Sequence, residues 1–592
     1  MKKQQWKIDR GQPLPYGVTT GDGWVNLSVT AGGVPLLEIR DSSGKELLSV
    51  DMASYACTGD VYAVRIEGAW PVCWQYRLQV DGRYAADPWQ TGRSGKCASE
   101  ETFCEVRRCA FDWEGDCPPK IPYEELYIYK LHIKGFTNHA SSRVSHKGQI
   151  TGVTEKLAYI KDLGMNAIEL MPVYAFDPVV KDRATQKVRD NYWGYGEGRF
   201  KMIHPEYGTL EDLQKLVKQA HRLGMEIYLE VLFPDHMSDL EKLDILRYWV
   251  LNGHVDGFHL SQSTSPVNML LQDPILANVK VMCEGFSSPM TVSMKEERTG
   301  VYHNGYLETA RRFLRGDRDS CGGWMWQMLQ KRGQGGTIQY LTNNNGFTLM
   351  DLVSYNDRHN EANGEDNRDG TADNLSYNCG IEGPSRKRAV LTLRMRQLKN
   401  AWILNLFHQG TPLVYAGDEF ANSQSGNNNA WCQDNEMSWL NWQLLKSKSW
   451  LYDFAKKVIA LRKSELIFHP ARPYKMADVD GLGYPDFSFH GKQPWFVEEG
   501  QEKNCVGCMY TGKDGEGSLK AYYIAYNMSD RMEQFHLPNL LNGMAWSVLI
   551  DTSDEEMTQR TEGEEGWLLE SHSIVFFKAV QLEKTDEETK EG

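Results

Sequence analysis

The most constraining feature of this sequence is the alternation of apolar runs with amphipathic segments between residues 126 and 473. The runs that we predict to be strands are residues 126–133, 167–171, 227–233, 254–262, 279–284, 337–342 and 412–416. Between them apolar residues recur at helical spacing, as in 209–223, where Thr209 is expected to cap a helix that Gly224 ends. Strands that alternate with helices over about 350 residues predict an α/β fold, a (β/α)8 TIM-type barrel with insertions, rather than an open sheet.

The segments on either side of this region follow a different pattern. At 592 residues the chain is too long for one hydrophobic core. Residues 11–116 contain short alternating or apolar runs broken by turns, and short strands return after residue 473, for example at 521–526 and 573–578. We therefore expect three domains: an N-terminal β-sandwich (1–120), the barrel (121–473) and a C-terminal β-sandwich (474–592).

Composition excludes several classes of partner. The formal net charge of −14 gives no long-range attraction to nucleic acid or to anionic lipid, so neither is an expected partner. No run of about 18 apolar residues is present, and no apolar segment of a secretory signal follows the N-terminal lysines. The 12 cysteines have irregular spacings, which favours reduced thiols and a cytoplasmic location. The 18 Trp and 28 Tyr suit flat ligands that stack, such as sugars.

Residues at the ends of the barrel strands are the candidates for chemistry, because active sites of such barrels form at the carboxyl ends of the strands. Those positions are 230–236, 259–262, 284 and 343–345. Retaining hydrolysis of a glycoside needs two carboxyl groups about 5 Å apart, a nucleophile and a proton donor. Glu284 is the acid that is well placed on its strand end.

A set of motifs at and near these strand ends resembles glycoside hydrolase family thirteen, and within it the isoamylases and bacterial glycogen debranching enzymes. The motifs are Asn191-Tyr-Trp-Gly-Tyr195, His254-Val-Asp-Gly-Phe258, Cys283-Glu-Gly, Gly346-Phe-Thr-Leu-Met-Asp-Leu, the run 359–370, Gly417-Asp-Glu419 and Gly426-Asn-Asn-Asn429. The resemblance covers nearly the whole chain and includes an N-terminal sandwich like the glycogen-binding modules of those enzymes. It implies an enzyme that cleaves or transfers α-glucosidic bonds with three carboxylates on the fourth, fifth and seventh barrel strands.

The catalytic motifs of this chain depart from the family pattern. Glu284 matches the general acid/base, but Ser261 stands where the family has its nucleophilic Asp, and His259 stands where it has an Arg. Asn345 replaces the Asp that stabilises the transition state. The third-strand motif of the family resembles Asp-Val-Val-Phe-Asn-His, whereas this chain has Glu230-Val-Leu-Phe-Pro-Asp235, and His236 follows one place late. The resemblance implies that the residues in substrate binding are Trp193, Tyr195, His236, Asn344 and His359. No metal ligands and no cofactor are expected, and calcium cannot be deduced from the sequence.

The physical chemistry of these replacements argues against efficient hydrolysis. A neutral serine without a base is a poor nucleophile at an anomeric carbon. Asn345 has the shape of Asp and can bond sugar hydroxyls, but it carries no charge to stabilise an oxocarbenium-like transition state. We also expect the change from Arg to His259 to follow the loss of the aspartate, because an unpaired buried guanidinium is costly.

Several of these residues have a second interpretation. Glu284 is either the acid or a member of a buried hydrogen-bond network. Trp193 and Tyr195 are equally consistent with a surface on which sugars stack and with the hydrophobic core. His359 is equally consistent with hydrogen bonds that brace its loop and with contact to a ligand. Asp235 or Asp351 is a candidate second acid for an inverting reaction, although Asp351 is most simply a helix-start residue.

The sequence thus supports an α-glucan debranching-enzyme homologue that has lost two of three catalytic carboxylates and binds glucan as a non-catalytic or strongly impaired protein. Its expected partners are a branched α-glucan such as glycogen or starch and an active debranching-enzyme subunit. The alternatives are an active hydrolase or transglycosidase on α-1,6 branches that uses Glu284, and a structural paralogue without affinity for glucan.

Overall fold

The structure is a computed structural model that describes residues 6–85, 87–92, 103–107, 111–181, 187–285, 296–331, 335–497, 504–541, 543–554 and 566–582. The chain divides into two compact units. The first comprises Met1–Pro119, His132–Leu157 and Glu169–Val279, and the second comprises Lys120–Leu131, Ala158–Ile168 and Lys280–Gly592.

The N-terminal region forms two antiparallel sheets, as the alternating pattern predicts. Its strands are β1 (Lys7–Arg10), β2 (Gly17–Gly21), β3 (Trp24–Thr30), β4 (Pro35–Asp41), β5 (Glu46–Asp51), β6 (Ala56–Thr58), β7 (Val61–Glu67), β8 (Cys73–Val80), β9 (Arg83–Ala85) and β10 (Cys104–Arg107). One sheet has the order β1-β7-β3-β2 with β6 beside β7, and the other has the order β10-β8-β4-β5 with β9 beside β8. Leu37 and Ile39 of β4 are buried, while Leu36 and Glu38, which alternate with them, are partly exposed, so one face of the strand enters the core.

The central region contains a closed barrel of eight strands. The strands of this region are β11 (Ile128–Leu131), β12 (Ala167–Leu170), β13 (Tyr174–Phe176), β14 (Val179–Lys181), β15 (Val188–Asp190), β16 (Gly198–Ile203), β17 (Glu226–Val231), β18 (Gly257–Leu260), β19 (Lys280–Cys283), β20 (Thr299–Tyr302), β21 (Gly336–Gln339) and β22 (Thr411–Tyr415). The barrel has the order β11-β12-β17-β18-β19-β20-β21-β22. Between β12 and β17 in the chain, β13 pairs with β16 and β14 pairs with β15, each antiparallel. The predicted barrel is therefore confirmed. The sequence pattern missed β20, whose Thr-Gly-Val-Tyr stretch is too short and too mixed to be recognised as apolar.

The helices lie between and after these strands. They are α1 (Ile133–Thr137), α2 (Ile150–Glu155), α3 (Leu157–Leu163), α4 (Leu210–Arg222), α5 (Asp239–Gly253), α6 (Val267–Gln272), α7 (Asn304–Arg315), α8 (Ser320–Met328), α9 (Leu349–Leu352), α10 (Arg388–Leu406), α11 (Gln443–Ser447) and α12 (Ser449–Ser464). Thr209 caps α4 in a capping box with Asp212, as predicted. No helix among the described residues is long and apolar enough to cross a membrane.

The C-terminal region is again built from antiparallel strands. They are β23 (Phe487–His490), β24 (Cys505–Lys513), β25 (Leu519–Asn527), β26 (Glu533–Phe535), β27 (Met544–Asp551), β28 (Trp567–Leu569) and β29 (Ser573–Gln581). Five of them form a sheet in the order β23-β24-β25-β29-β27, and β26 pairs with β28. Buried side chains from both sheets, among them Tyr523, Phe535 and Phe577, share one core.

Candidate active site

The fourth barrel strand, β18, ends at Leu260, and Ser261 follows it immediately. Ser261 is partly buried, and its hydroxyl is 3.0 Å from the hydroxyl of Ser263. Among the described residues no histidine or carboxylate hydrogen-bonds this hydroxyl. The group at the expected nucleophile position is thus a neutral serine bonded to a second neutral serine, which does not activate it for attack.

Two residues before Ser261, His259 lies among buried acids. Its Nδ1 is 2.8 Å from Oε1 of Glu169, at the end of β12, and 3.9 Å from Oε1 of Glu230 on β17. Tyr195 donates a hydrogen bond of 3.0 Å from its hydroxyl to the same oxygen of Glu230. His259, Glu169 and Glu230 are all at most 6% exposed. A positive charge at position 259 therefore has two carboxylate neighbours in a poorly solvated environment.

This geometry corrects one expectation from the sequence. We expected an arginine at position 259 to become unpaired once the aspartate of the fourth strand was replaced, but Glu169 and Glu230 flank that position. A guanidinium there would still have acidic partners, so the cost of an unpaired charge does not explain the histidine. Glu169 was not identified from the sequence, although an acid within the apolar run 167–171 was a usable signal, since a charge in a buried strand needs a partner.

The same three residues have the composition of a metal-binding group. Their ligand atoms lie within 4.8 Å of one another, and theirs is the one such cluster in the described part of the chain. Two carboxylates and an imidazole suit a divalent transition metal. Within this group, Nδ1 of His259 and Oε1 of Glu169 are already hydrogen-bonded to each other.

The residues predicted to bind substrate in the first unit differ in their exposure. Trp193 is buried with 6% of its surface exposed, while Tyr195 is partly exposed. Their ring centroids are 5.6 Å apart, and the ring planes are inclined at 63° to each other. His236 is an exposed side chain whose Nδ1 lies 3.6 Å from a carboxylate oxygen of Glu197. Of this group, Tyr195 lies nearest to the cluster around His259, because it bonds Glu230 directly.

The second unit contains the remaining predicted residues. Glu284 is exposed and follows β19 directly. Asn344 is buried and Asn345 is exposed, and the backbone N–H of Asn345 donates to Oδ1 of Asn343 at 2.9 Å. The ring of His359 is partly buried, with Nε2 3.2 Å from Oε1 of Glu382. Asn345 thus presents its side chain to solvent at the loop after β21.

The two candidate second acids have different environments. Asp235 is exposed. Asp351 is fully buried and accepts hydrogen bonds from the Ser423 hydroxyl and from the backbone N–H of Gln424, the latter at 2.7 Å. Its own N–H is capped by Thr348 at the start of α9, so the simple interpretation of Asp351 as a helix-start and network residue is confirmed. Burial raises the pKa of Asp351 to about 6.

A polar network joins the loop 359–370 to the segment 427–429. Asn360 donates to Oδ1 of Asn428 at 2.8 Å and to the backbone oxygen of Asp369 at 2.9 Å. Asn363 donates to Oδ2 of Asp369 at 2.7 Å, and Asn429 donates to the same oxygen at 2.9 Å. These two motifs are therefore held together by side-chain amides. Amides can exchange such bonds with sugar hydroxyls only where they are exposed.

Comparison with known proteins agrees with the fold and the motifs. Residues 131–245 match the alpha-amylase family, described as alpha amylase, catalytic domain. The glycogen operon protein GlgX homolog of Haemophilus influenzae is 31% identical, over 72% of this chain and 75% of that protein. The chloroplastic isoamylase 1 of Oryza sativa subsp. japonica is 27% identical, over 92% of this chain and 82% of that protein.

Solved structures give the same architecture. The pullulanase from Paenibacillus barengoltzii, in complex with maltohexaose and alpha-cyclodextrin, superposes with a TM-score of 0.68 at 17% identity and covers 96% of each chain. At that identity the likeness concerns the fold. With the relatives above, it places the molecule in a defined group: the chain belongs to the alpha-amylase superfamily, glycoside hydrolase family thirteen, and is a homologue of the isoamylase and GlgX glycogen debranching enzymes.

Proposed function

We propose that this protein binds branched α-glucan through the carboxyl end of its barrel and hydrolyses it poorly or not at all. The observation that carries the proposal is the environment of Ser261. Its hydroxyl is bonded to Ser263 at 3.0 Å, and a carboxylate is needed at this position for a covalent glycosyl intermediate. Asn345, on the loop after β21, likewise offers an amide where charge would stabilise the transition state.

Several features support retention of binding. Asn345 is exposed and carries both a donor and an acceptor for sugar hydroxyls. Tyr195 is partly exposed and is held by Glu230, so its ring orientation is fixed before a ligand arrives. The names of the relatives, glycogen debranching enzyme among them, point to glycogen as the polymer. In this role the protein would hold glucan for an active debranching enzyme or pair with such an enzyme.

The second candidate function is that of an active hydrolase or transglycosidase on α-1,6 branches. The observation in its favour is Glu284, an exposed acid directly after β19, where a proton donor would stand. A lone acid provides proton donation but no nucleophile. This candidate therefore requires a second carboxylate in the bound state.

Affinity electrophoresis in gels that contain glycogen or pullulan tests the binding proposal. We expect retardation of the protein, and Asn345→Ala should weaken binding about 3- to 10-fold because it removes one or two hydrogen bonds to sugar. Asn539→Ala, at an exposed asparagine in the C-terminal region, is the matched control and should bind like the wild type. If the wild type migrates identically with and without glucan, the proposal is wrong and the structural-paralogue alternative stands.

A further inference from the structure

The loop 343–348 lies between β21, the seventh barrel strand, and α9, and it carries Asn344 and Asn345. One carboxylate holds both ends of this loop. Asp418, three residues after β22, accepts a hydrogen bond from the Thr342 hydroxyl before the loop. Its other oxygen accepts the backbone N–H of Leu349 after the loop, at 2.8 Å. Asp418 is only 3% exposed, so water does not compete for these bonds.

A buried arginine on α7 bonds the backbone just before this loop. Arg311 is 5% exposed, and its Nε donates to the backbone oxygen of Leu341 at 2.7 Å. Its Nη1 donates to the backbone oxygen of Asn374 at 3.0 Å. A Cβ added at Gly346, whose φ is +129°, would lie 3.8 Å from Nη2 of Arg311, so the loop passes directly over the guanidinium.

Arg311 and Asp418 also interact as opposite charges. Both acceptors of Arg311 are neutral carbonyls, and burial lowers the pKa of Arg311 to about 10, an effect that the negative charge of Asp418 opposes. Burial, with a smaller contribution from the charge of Glu419, raises the pKa of Asp418 to about 7, although the hydrogen bonds from Thr342 and Leu349 and the charge of Arg311 lower it. Removal of either side chain therefore leaves the other with less compensation in a buried environment.

We propose that Arg311 and Asp418 are positioning residues that fix the loop 343–348 and thereby set the affinity of the protein for α-glucan. The inference rests on the proposed function, because Asn345 of this loop is the group that meets the sugar. The ionised carboxylate accepts from both ends of the loop. Protonation converts one oxygen into a donor, so the bond to Thr342 must reverse or the bond to Leu349 must weaken.

This gives the loop a dependence on pH. The titratable and charged groups that face Asp418 are Arg311, Glu419 and Tyr129, and its neutral partners are Thr342 and Leu349. Arg311 stays charged across the neutral range, whereas Asp418 changes its charge within it. We expect glucan affinity to be higher at pH 8 than at pH 6.

Asp418→Asn tests the inference, because an amide has the shape of the carboxyl group and one acceptor oxygen in place of two. Compared with the wild type, we expect faster hydrogen exchange at the Leu349 amide and about tenfold weaker glucan binding at pH 8. At pH 6 the variant and the wild type should bind similarly. Unchanged affinity and an unchanged pH profile in the variant would overturn the proposal.

Asp87→Asn is the matched control. Asp87 is 1% exposed and, like Asp418, accepts from a hydroxyl (Tyr76) and from a backbone N–H (Trp89, at 2.9 Å). It belongs to the N-terminal sandwich, so its substitution should leave exchange at Leu349 unchanged. If Asp418→Asn does not fold, Thr342→Val removes one of the two bonds and should give a smaller loss of protection at Leu349.

The two proposals fail in different ways. If the wild type binds no glucan, the proposed function fails, and the exchange of Leu349 still decides whether Asp418 holds the loop. If glucan binds but neither Asp418→Asn nor Arg311→Met alters its affinity at any pH, the positioning role is wrong and the proposed function stands.

Discussion

We expect His221→Phe to destabilise the first unit strongly, because His221 bridges two buried aspartates. Its Nδ1 is 2.9 Å from Asp116, and its Nε2 is 3.0 Å from Asp256. The three side chains are 1%, 2% and 5% exposed for His221, Asp116 and Asp256. With both aspartates ionised, the carboxylates only accept hydrogen bonds, so both ring nitrogens carry a proton and the ring is an imidazolium. Burial raises the pKa of Asp256, and the hydrogen bond and charge of His221 oppose that effect. Burial alone would lower the pKa of His221, but its bonds to Asp256 and Asp116 raise it.

The size of the destabilisation follows from the groups that remain after His221 is replaced. Phenylalanine keeps the volume of the ring but leaves two carboxylates buried without the cation between them. Removal of one partner from a buried ion pair costs about 3–5 kcal/mol. For a unit of a few hundred residues this lowers the unfolding temperature by roughly 10 °C. His254, whose Nδ1 is 3.1 Å from Asp116, compensates only one of the two acids.

Thermal unfolding followed by hydrogen exchange at the α4 amides measures this effect, because His221 lies on α4. The matched control is His146→Phe. His146 pairs with Glu155 at 3.3 Å, but its side chain is 54% exposed, so we expect a loss below about 1 kcal/mol. Equal effects of the two substitutions would refute the assignment of a buried imidazolium.

Two further stability predictions concern other buried charges. His259→Arg should fold with an unfolding temperature within about 3 °C of the wild type, since Glu169 and Glu230 flank the position. His259→Leu should lower the free energy of unfolding by about 3–5 kcal/mol. Calorimetry that finds the arginine variant as unstable as the leucine variant would contradict this. Burial raises the pKa of Asp351 to about 6, so this group favours the folded state fully below the unfolded value of 3.8, and that contribution is lost as the pH rises from about 4 to 6. The unfolding temperature of the wild type should therefore fall relative to Asp351→Asn across that range, and a difference that is constant with pH would refute the assignment.

The barrel was predictable from local patterns, because most of its strands are fully buried and appear as continuous apolar runs. Strand β18 illustrates the limits: the apolar run predicted residues 254–262, while the strand itself is Gly257–Leu260, since His254 ends α5 in a left-handed conformation with φ of +52°. Similarly, apolar residues recur at helical spacing from Val153 to Leu163, a pattern that predicts one helix. The structure has α2 and α3 instead, because the N–H of Lys156 bonds the oxygen of Val153 and tightens the turn.

The position of a candidate residue was predictable where its motif lies at one strand end, as for Ser261 and Glu284, which directly follow β18 and β19. It was not predictable where distant segments meet. Glu169 and His259 are 90 residues apart and come together only through the fold. The same holds for Asp418, whose bond to Leu349 spans 69 residues. Spacing along the chain contains no direct signal for such pairs, and only an acid within an apolar run indicates that a partner exists.

Release of reducing ends from pullulan and glycogen tests the central claim most directly. The wild type should release no more than its Glu284→Gln variant, because Ser261 cannot form the glycosyl intermediate. A variant that combines Ser261→Asp, His259→Arg and Asn345→Asp restores the carboxylates and their cation, and it should gain release that Glu284→Gln abolishes. Release by the wild type that depends on Glu284 would contradict the account.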